Sequence, residues 1–397
     1  MANDLLFYLA SRACAGAGGT MIRSAIAWHL YALTGSAFDL GLIGAVQFVP
    51  ALFLALPAGL VSDRFERRRI VQLAQSTTLV ATLALALLTL TGRAADPRLL
   101  FVTIAIIAAA AAFSNPARSA LLPLLVSRAA FPRAVTTAST IQALSFAAGP
   151  ALTGGIVAWV GIGWAYVAGA LFVGVSIGTL MFLSTLRPVA QTGGVSLAAM
   201  LEGLRHVRSE KVVLGAMSLD LFAVVFGGAT ALLPVYANDI LDVGASGYGV
   251  LSASLEAGAL ATAVVLLLFP PIRRVGRALL LTVAAYGLAT IVFGLSRSFP
   301  LSVAAYAAAG MADQVSVVLR QTTIQLQTPD HLRGRVSSVS SIFIGASNQL
   351  SAVESGFVAA ATSAPFAVVS GGIGVLLVVA IVALALPALR RYELEAQ

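Results

Sequence analysis

Apolar residues fill most of the chain in long stretches, broken by short polar clusters that carry turn residues and arginine. A helix crossing the hydrocarbon core of a bilayer needs about 20 mainly apolar residues. Twelve stretches meet this pattern, near 6–33, 38–61, 70–92, 98–117, 135–160, 163–186, 212–236, 247–271, 277–296, 299–326, 337–361 and 364–388. The breaks include Thr34-Gly35-Ser36, Asp96-Pro97 and Ser298-Phe299-Pro300, combinations that end one helix and start the next. No stretch reads as a soluble domain. The pattern predicts an all-α membrane protein with twelve transmembrane helices. Met1 to Ala10 has neither a basic n-region nor an A-x-A site, so it reads as the uncleaved start of the first span.

Composition agrees. Of 397 residues, 59% are hydrophobic and 10% charged, against about a quarter charged in soluble domains. The net charge of +8 comes almost wholly from arginine, with Lys211 the one lysine. These residues divide unevenly between alternate loops. One set holds Arg64, Arg67, Arg68 and Arg69, then Arg118, Arg128 and Arg133, then Arg187, Arg205, Arg208 and Lys211. It continues with Arg273, Arg274, Arg277, Arg333 and Arg335 and the tail Arg390 and Arg391. The opposite set holds Arg93, Arg98 and Arg297. The positive-inside rule then places both termini in the cytoplasm of a bacterial inner (plasma) membrane, with Asp39, Asp239 and Asp242 outside. Nucleic acid is not an expected partner, because no basic stripe with interleaved aromatics is present. The single cysteine, Cys14, and the scattered His29, His206 and His331 give no metal-ligand spacing.

The longest internal break separates six spans from six. This predicts an N-terminal six-helix bundle (1–186), a cytoplasmic linker (187–211) and a C-terminal six-helix bundle (212–397). Within the linker, Leu197, Met200, Leu201 and Leu204 lie opposite Glu202, Arg205 and Arg208, the pattern of a short interfacial helix or of a solvated linker. The halves echo each other: Val135, Ile141, Gly155, Val157 and Ala158 recur 201 residues later as Val336, Ile342, Gly356, Val358 and Ala359. Internal repeats in membrane proteins point to transporters with a site between the halves.

The break after the second span reads Gly59-Leu-Val-Ser-Asp63-Arg64-Phe-Glu66-Arg67-Arg68-Arg69. It resembles the G-x-x-x-D-R-x-G-R-R/K signature of the major facilitator superfamily. Glu66 stands in place of the second glycine, as in the D-R-Y/F-E-R form of enterobactin-exporter-like members. Gly59 would allow close helix approach. Asp63 could accept from Arg118 or cap the N-terminus of the eleventh span. Together with Arg64, Arg67 and Asp220 these residues form the candidate cytoplasmic gate; Arg67 to Arg69 are equally accounted for as topology determinants. In the fifth span, Gly149-Pro150-Ala-Leu-Thr153-Gly154-Gly155 resembles the G-P-x-x-G-G antiporter signature, with Thr153 in place of the first paired glycine. The bland reading of that segment is a packing kink. Ser114-Asn-Pro-Ala-Arg118-Ser-Ala-Leu-Leu-Pro123, Leu326-Gln-Thr-Pro329-Asp330-His-Leu-Arg333-Gly334-Arg335-Val336 and the segment Phe343 to Gly356 resemble the enterobactin (siderophore) exporter-like and macrolide-efflux-like branch. The resemblance covers the chain from first span to last. It implies the major facilitator fold, alternating access and a monomer.

Ionisable residues inside spans are costly and tend to face a cavity. Here they are Arg12, Arg23, Asp220, Glu256, Asp313, Arg320 and Glu354. Matched depth makes Asp220–Arg320 and Glu354–Arg23 candidate pairs. Asp313, Glu354 and Glu256 are the proton-coupling candidates, the alternative being permanent structural ion pairs. Arg23, Arg320, Asn348 and Gln349 are the substrate-cavity candidates. His29 reads as an interfacial hydrogen-bonder. There is no phosphate loop and no H-E-x-x-H, so neither ATP-driven pumping nor catalysis is expected. The expected function is export of a small amphipathic, siderophore-like molecule by proton antiport, with the proton motive force in place of a cofactor. Multidrug or macrolide efflux, or a non-transporting ligand sensor, are the alternatives.

Overall fold

A computed structural model of the chain describes residues 2–94, 96–127, 130–183, 197–268 and 272–393. No strand occurs among the described residues. The helices are α1 (Ala2–Thr34), α2 (Ala37–Arg64), α3 (Arg67–Leu90), α4 (Pro97–Leu125), α5 (Phe131–Val160), α6 (Ile162–Met181), α7 (Leu197–Ser209) and α8 (Lys211–Gly227). There follow α9 (Leu233–Val235), α10 (Gly244–Leu268), α11 (Val275–Leu295), α12 (Phe299–Gln327), α13 (Arg333–Ala361), α14 (Ala364–Ala385) and α15 (Pro387–Arg390). Arg128 and Arg187 lie outside the described residues.

The breaks end helices by local chemistry. Ser36 accepts from the Asp39 amide at the start of α2, Asp96 from the Arg98 amide at the start of α4, and Ser363 from the Phe366 amide at the start of α14. Proline sits in the first turn of α4, α12 and α14, where its missing N–H costs nothing. Gly161, at φ +98°, turns the chain from α5 into α6.

Among the described residues, eleven helical stretches are long and apolar enough to cross a membrane. The eleventh stretch read from sequence is α13, which has the length, 29 residues, but is not among them. Its serines, with Asn348, Gln349 and Glu354, dilute its apolar content. The seventh stretch is not one regular helix. After α8, Thr230–Leu232 is a 3-10 turn, α9 follows, and Tyr236–Ile240 is a π turn.

The chain forms two compact units. The first comprises Met1–Asp39, Ala45–Gly194 and Ala237–Ala253; the second comprises Leu40–Gly44, Val195–Tyr236 and Ser254–Gln397. One packing scheme serves both. In the first unit α1 packs on α5 and α6, and α3 on α4 and α6. In the second α8 packs on α13 and α14, and α11 on α12 and α14. This scheme matches α5 with α13, the helices that carry the sequence repeat.

Tyr8, Val71, Leu121 and Leu180 centre the first core, and Leu219, Val275, Leu279 and Val375 the second. Against lipid, helix association rests on close packing rather than on escape from water. Small residues supply it: a Cβ on Gly18 would stand 2.8 Å from the Gly169 carbonyl oxygen, so α1 and α6 touch backbone to backbone. Leu73, Leu268, Leu384 and Trp159 point outward and are largely exposed, as lipid-facing side chains are.

The linker helix α7 packs on protein. Val207 joins Leu332, Val336 and Val339 in one apolar cluster, with Leu204 against it. Glu202 pairs with Arg335, and Gly203 lies so near the Arg335 backbone that a Cβ would stand 2.9 Å from it. The side chains of Leu197 and Met200 lie outside the described residues.

Candidate functional site

In the second unit, α8 presents Asp220 and α12 presents Arg320, and the two form an ion pair. Their side chains are 11% and 4% exposed, so the charges neutralise each other away from water. Asp313 lies two turns earlier on α12, a spacing that places it on the same helix face. It stands within electrostatic range of Glu256 on α10 and of Tyr286 on α11. Glycines bring α10 and α12 together: a Cβ on Gly310 would stand 2.7 Å from the Leu255 carbonyl carbon, and Gly258 meets Ala307 in the same way. Tyr286 donates to the Gly227 carbonyl at 2.8 Å, and the Tyr306 and Thr230 hydroxyls bond at 2.8 Å. Hydroxyls and carboxylates thus converge where α8 ends. On α13, Glu354 is half-buried and its Oε2 has no hydrogen-bond partner. Asn348 is exposed and Gln349 half-buried on the same helix. Among the described residues of the second unit, no Arg or Lys stands in ion-pair range of Asp313, Glu256 or Glu354.

Of the gate candidates, Asp63 has its side chain outside the described residues, and Arg64 is exposed. Arg67 is buried and donates to the Ala120 carbonyl at 3.1 Å, which ties α3 to α4. Glu66 does what sequence reasoning missed. It pairs with Arg69 at 2.7 Å and Arg68 at 3.4 Å, while Arg68 also donates to the Leu183 carbonyl. The carboxylate in the motif's glycine position is an ion-pair hub. Among the described residues, nothing lies within 4 Å of where a Cβ on Gly59 would stand. Arg118 donates to Ser11 Oγ at 3.4 Å.

The glycines of α5 divide sharply. A Cβ on Gly149 would strike Thr20 and stand 2.9 Å from the Ala17 carbonyl oxygen. One on Gly154 would stand 2.6 Å from both the Ala245 oxygen and Gly249 Cα. Gly155, by contrast, faces open space. Pro150 lies inside the helix between them. Thr153, which replaces a motif glycine, is fully buried and donates to the Met21 carbonyl at 3.1 Å and the Gly149 carbonyl at 3.0 Å. It fastens α5 to α1 where a glycine would only let them approach.

A second group sits at the far end of α1. The Tyr31 hydroxyl bonds to Asp239, which the π turn presents. Trp28 stacks on Tyr248 with ring centroids 5.3 Å apart, and the Tyr248 hydroxyl donates to the Ser24 carbonyl at 3.3 Å. Aspartate after an unbroken apolar run gave no warning of this contact. His29, expected at an interface, is buried and bonded to the Tyr166 hydroxyl at 3.1 Å. Arg23 has an exposed side chain. It belongs to the first unit and Glu354 to the second, and their pairing stays an expectation.

The repeated helical units and their charged interior define a membrane transporter with the major facilitator fold. Solved structures share that fold. A POT family transporter in complex with a thioalcohol conjugated peptide matches with a TM-score of 0.75 at 12% identity, over 97% of this chain and 96% of that one. The nucleoside transporter NupG matches with a TM-score of 0.72 at 13% identity, over 99% and 100%. The transmembrane secretion effector family matches residues 5–397, and the chain belongs to it. Relatives include the multidrug efflux pump Tap of Mycobacterium tuberculosis (strain ATCC 25618 / H37Rv), 29% identical over 99% of this chain and 95% of the relative. The enterobactin exporter EntS of Escherichia coli O1:K1 / APEC is 25% identical over 93% and 88%. The chain is therefore a multi-pass efflux transporter of the major facilitator superfamily and not an enzyme.

Proposed function

We propose that this transporter exports a small amphipathic, siderophore-like molecule by alternating access, with proton influx as the driving force. The observation that supports coupling is the contrast among acids in the second unit. Asp220 is neutralised by Arg320. Among the described residues of that unit, Asp313, Glu256 and Glu354 have no such partner, and Glu354 Oε2 is buried without a hydrogen bond. A carboxyl held away from water and from a fixed cation is free to exchange a proton, whereas a paired one is locked. Proton and substrate couple when each binds the two conformations with different affinity.

The siderophore reading rests on the motifs of the fourth and eleventh spans and on similarity to the enterobactin exporter. Similarity to a multidrug pump at higher identity and fuller coverage favours a second reading, efflux of drug-like molecules. Efflux from proteoliposomes loaded with a siderophore panel or a cationic-drug panel separates the two. Saturable siderophore efflux supports the first reading and drug-only efflux the second. Binding without efflux or counterflow of either panel would replace both with a ligand sensor.

A further inference from the structure

Among the described residues of the first unit, Arg12 and Arg118 approach each other with no acid in ion-pair distance of either. Arg12 on α1 donates through Nε to the Ala138 carbonyl at 3.2 Å, through Nη1 to the Tyr8 hydroxyl at 3.4 Å, and through Nη2 to Gln142 Oε1. Arg118 on α4 donates through Nη1 to Ser11 Oγ at 3.4 Å. Every one of these acceptors is neutral. The two cations lie within electrostatic range of each other. The Tyr8 hydroxyl links them, receiving from Arg12 and donating to the Arg118 carbonyl at 3.1 Å. Among the described residues, no carboxylate reaches ion-pair distance of either.

The surroundings hold this arrangement in place. Tyr8, Ser11 and Ser176 are fully buried. Ser11 Oγ and Ser176 Oγ are 2.7 Å apart, and Gln75 donates to Ser176 at 3.0 Å. Both ends of the pair are therefore anchored, Arg12 on α5 and Arg118 through the α1–α6–α3 network. A guanidinium carries five N–H donors in a planar fork. Among the described residues, Arg118 commits one of its donors, at long range, to a protein acceptor. Like charges inside a membrane protein repel, and each is costly without a counter-charge. The same chain balances a more deeply buried arginine, Arg320, with Asp220, while the buried Arg67 is held by the Ala120 carbonyl. At Arg12 and Arg118 no counter-charge stands among the described residues.

We infer that Arg12 and Arg118 form an anion-recognition site, with Tyr8, Ser11 and Gln142 as its polar wall, for a carboxylate or phosphate group. The anion is either part of the exported molecule or a lipid headgroup. In the first case the inference rests on the export reading and adds to it the charge of the group carried.

The test is binding without turnover, so that it stands apart from efflux. Purified full-length protein in phosphatidylcholine nanodiscs is titrated with 4-butylbenzoate and with its uncharged isostere 4-butylbenzamide. Wild type should prefer the anion by tenfold or more. Arg118→Gln and Arg12→Gln should each erase that preference and leave benzamide affinity unchanged, while Arg118→Lys should keep part of it. Adding phosphatidylglycerol to the discs distinguishes the sources. Competition with benzoate assigns the site to a headgroup, and its absence assigns it to a free anion. Equal affinity for both probes in wild type, or equal loss of both in Arg118→Gln and Arg12→Gln, would overturn the inference. So would a tenfold gain in benzoate affinity in Asp63→Asn, which would make Asp63 the counter-charge. Normal anion discrimination without efflux would sink the export reading alone.

Discussion

Replacing Asp220 with asparagine leaves Arg320 charged and buried with no counter-ion in the second unit. Removing one partner of a buried pair costs about 3–5 kcal/mol, because the cost of the remaining charge is no longer offset. The side-chain exposures, 4% for Arg320 and 11% for Asp220, put this pair in that regime. Polar groups in a membrane protein also find partners in the unfolded state, which lowers the effect toward about 1–2 kcal/mol. Neutralising both residues removes the stranded charge. Asp220→Asn with Arg320→Gln should therefore be more stable than the sum of the single losses predicts, by roughly 0.5–3 kcal/mol of coupling. Thermal unfolding of wild type, both single variants and the double variant, in one detergent, measures this directly. Strictly additive losses, or single variants as stable as wild type, would refute the claim that the two charges depend on each other.

The glycines of α5 give a paired test. Gly154→Leu drives a side chain into the Gly249 backbone and should cost about 3 kcal/mol or more, at or beyond the usual range for overpacking. Gly155→Leu faces open space and should stay within roughly 0.5 kcal/mol of wild type, both read by thermal unfolding. Thr153→Val removes the hydroxyl proton shared between the Met21 and Gly149 carbonyls at near-constant shape and should lose about 1–2 kcal/mol in the same assay. Tyr31→Phe removes a charge-assisted bond to Asp239 worth about 1.5–3 kcal/mol. It should change the efflux rate as Asp239→Asn does, and the double variant should add nothing further.

Hydropathy made most of the helices legible, since lipid demands long apolar runs and internally satisfied backbone. It was blind to hydrogen-bond pattern. The run 212–236 reads as one helix, yet it breaks at Gly227 and Gly228 and re-forms as 3-10, α and π turns up to Ile240. Apolar content does not distinguish one helical hydrogen-bond pattern from another, so Asn238 and Asp239 read as the polar end of a span and not as a π turn. Depth along two helices brought Asp220 and Arg320 to the same level, which the ion pair makes use of. Glycine roles were not legible, because they depend on the neighbouring helix. Gly154 meets a backbone, whereas among the described residues nothing lies within 4 Å of a Cβ on Gly59, though both stand in motifs. Glu66 looked like a departure from a pattern; its partners Arg68 and Arg69 were already adjacent in the chain. Arg12 was visible as an arginine in a span and Arg118 as one of the loop arginines, but their mutual approach requires the packing of α1 against α4 and α5.

The central claim, proton-coupled export, is tested most directly by substrate efflux from proteoliposomes under an imposed pH gradient. Wild type is compared with Asp313→Asn and Glu354→Gln at matched protein content. Gradient-driven efflux in wild type that collapses to the passive rate in at least one variant is the predicted result. Efflux that ignores the gradient and survives both substitutions would contradict coupling and leave facilitated diffusion as the mechanism.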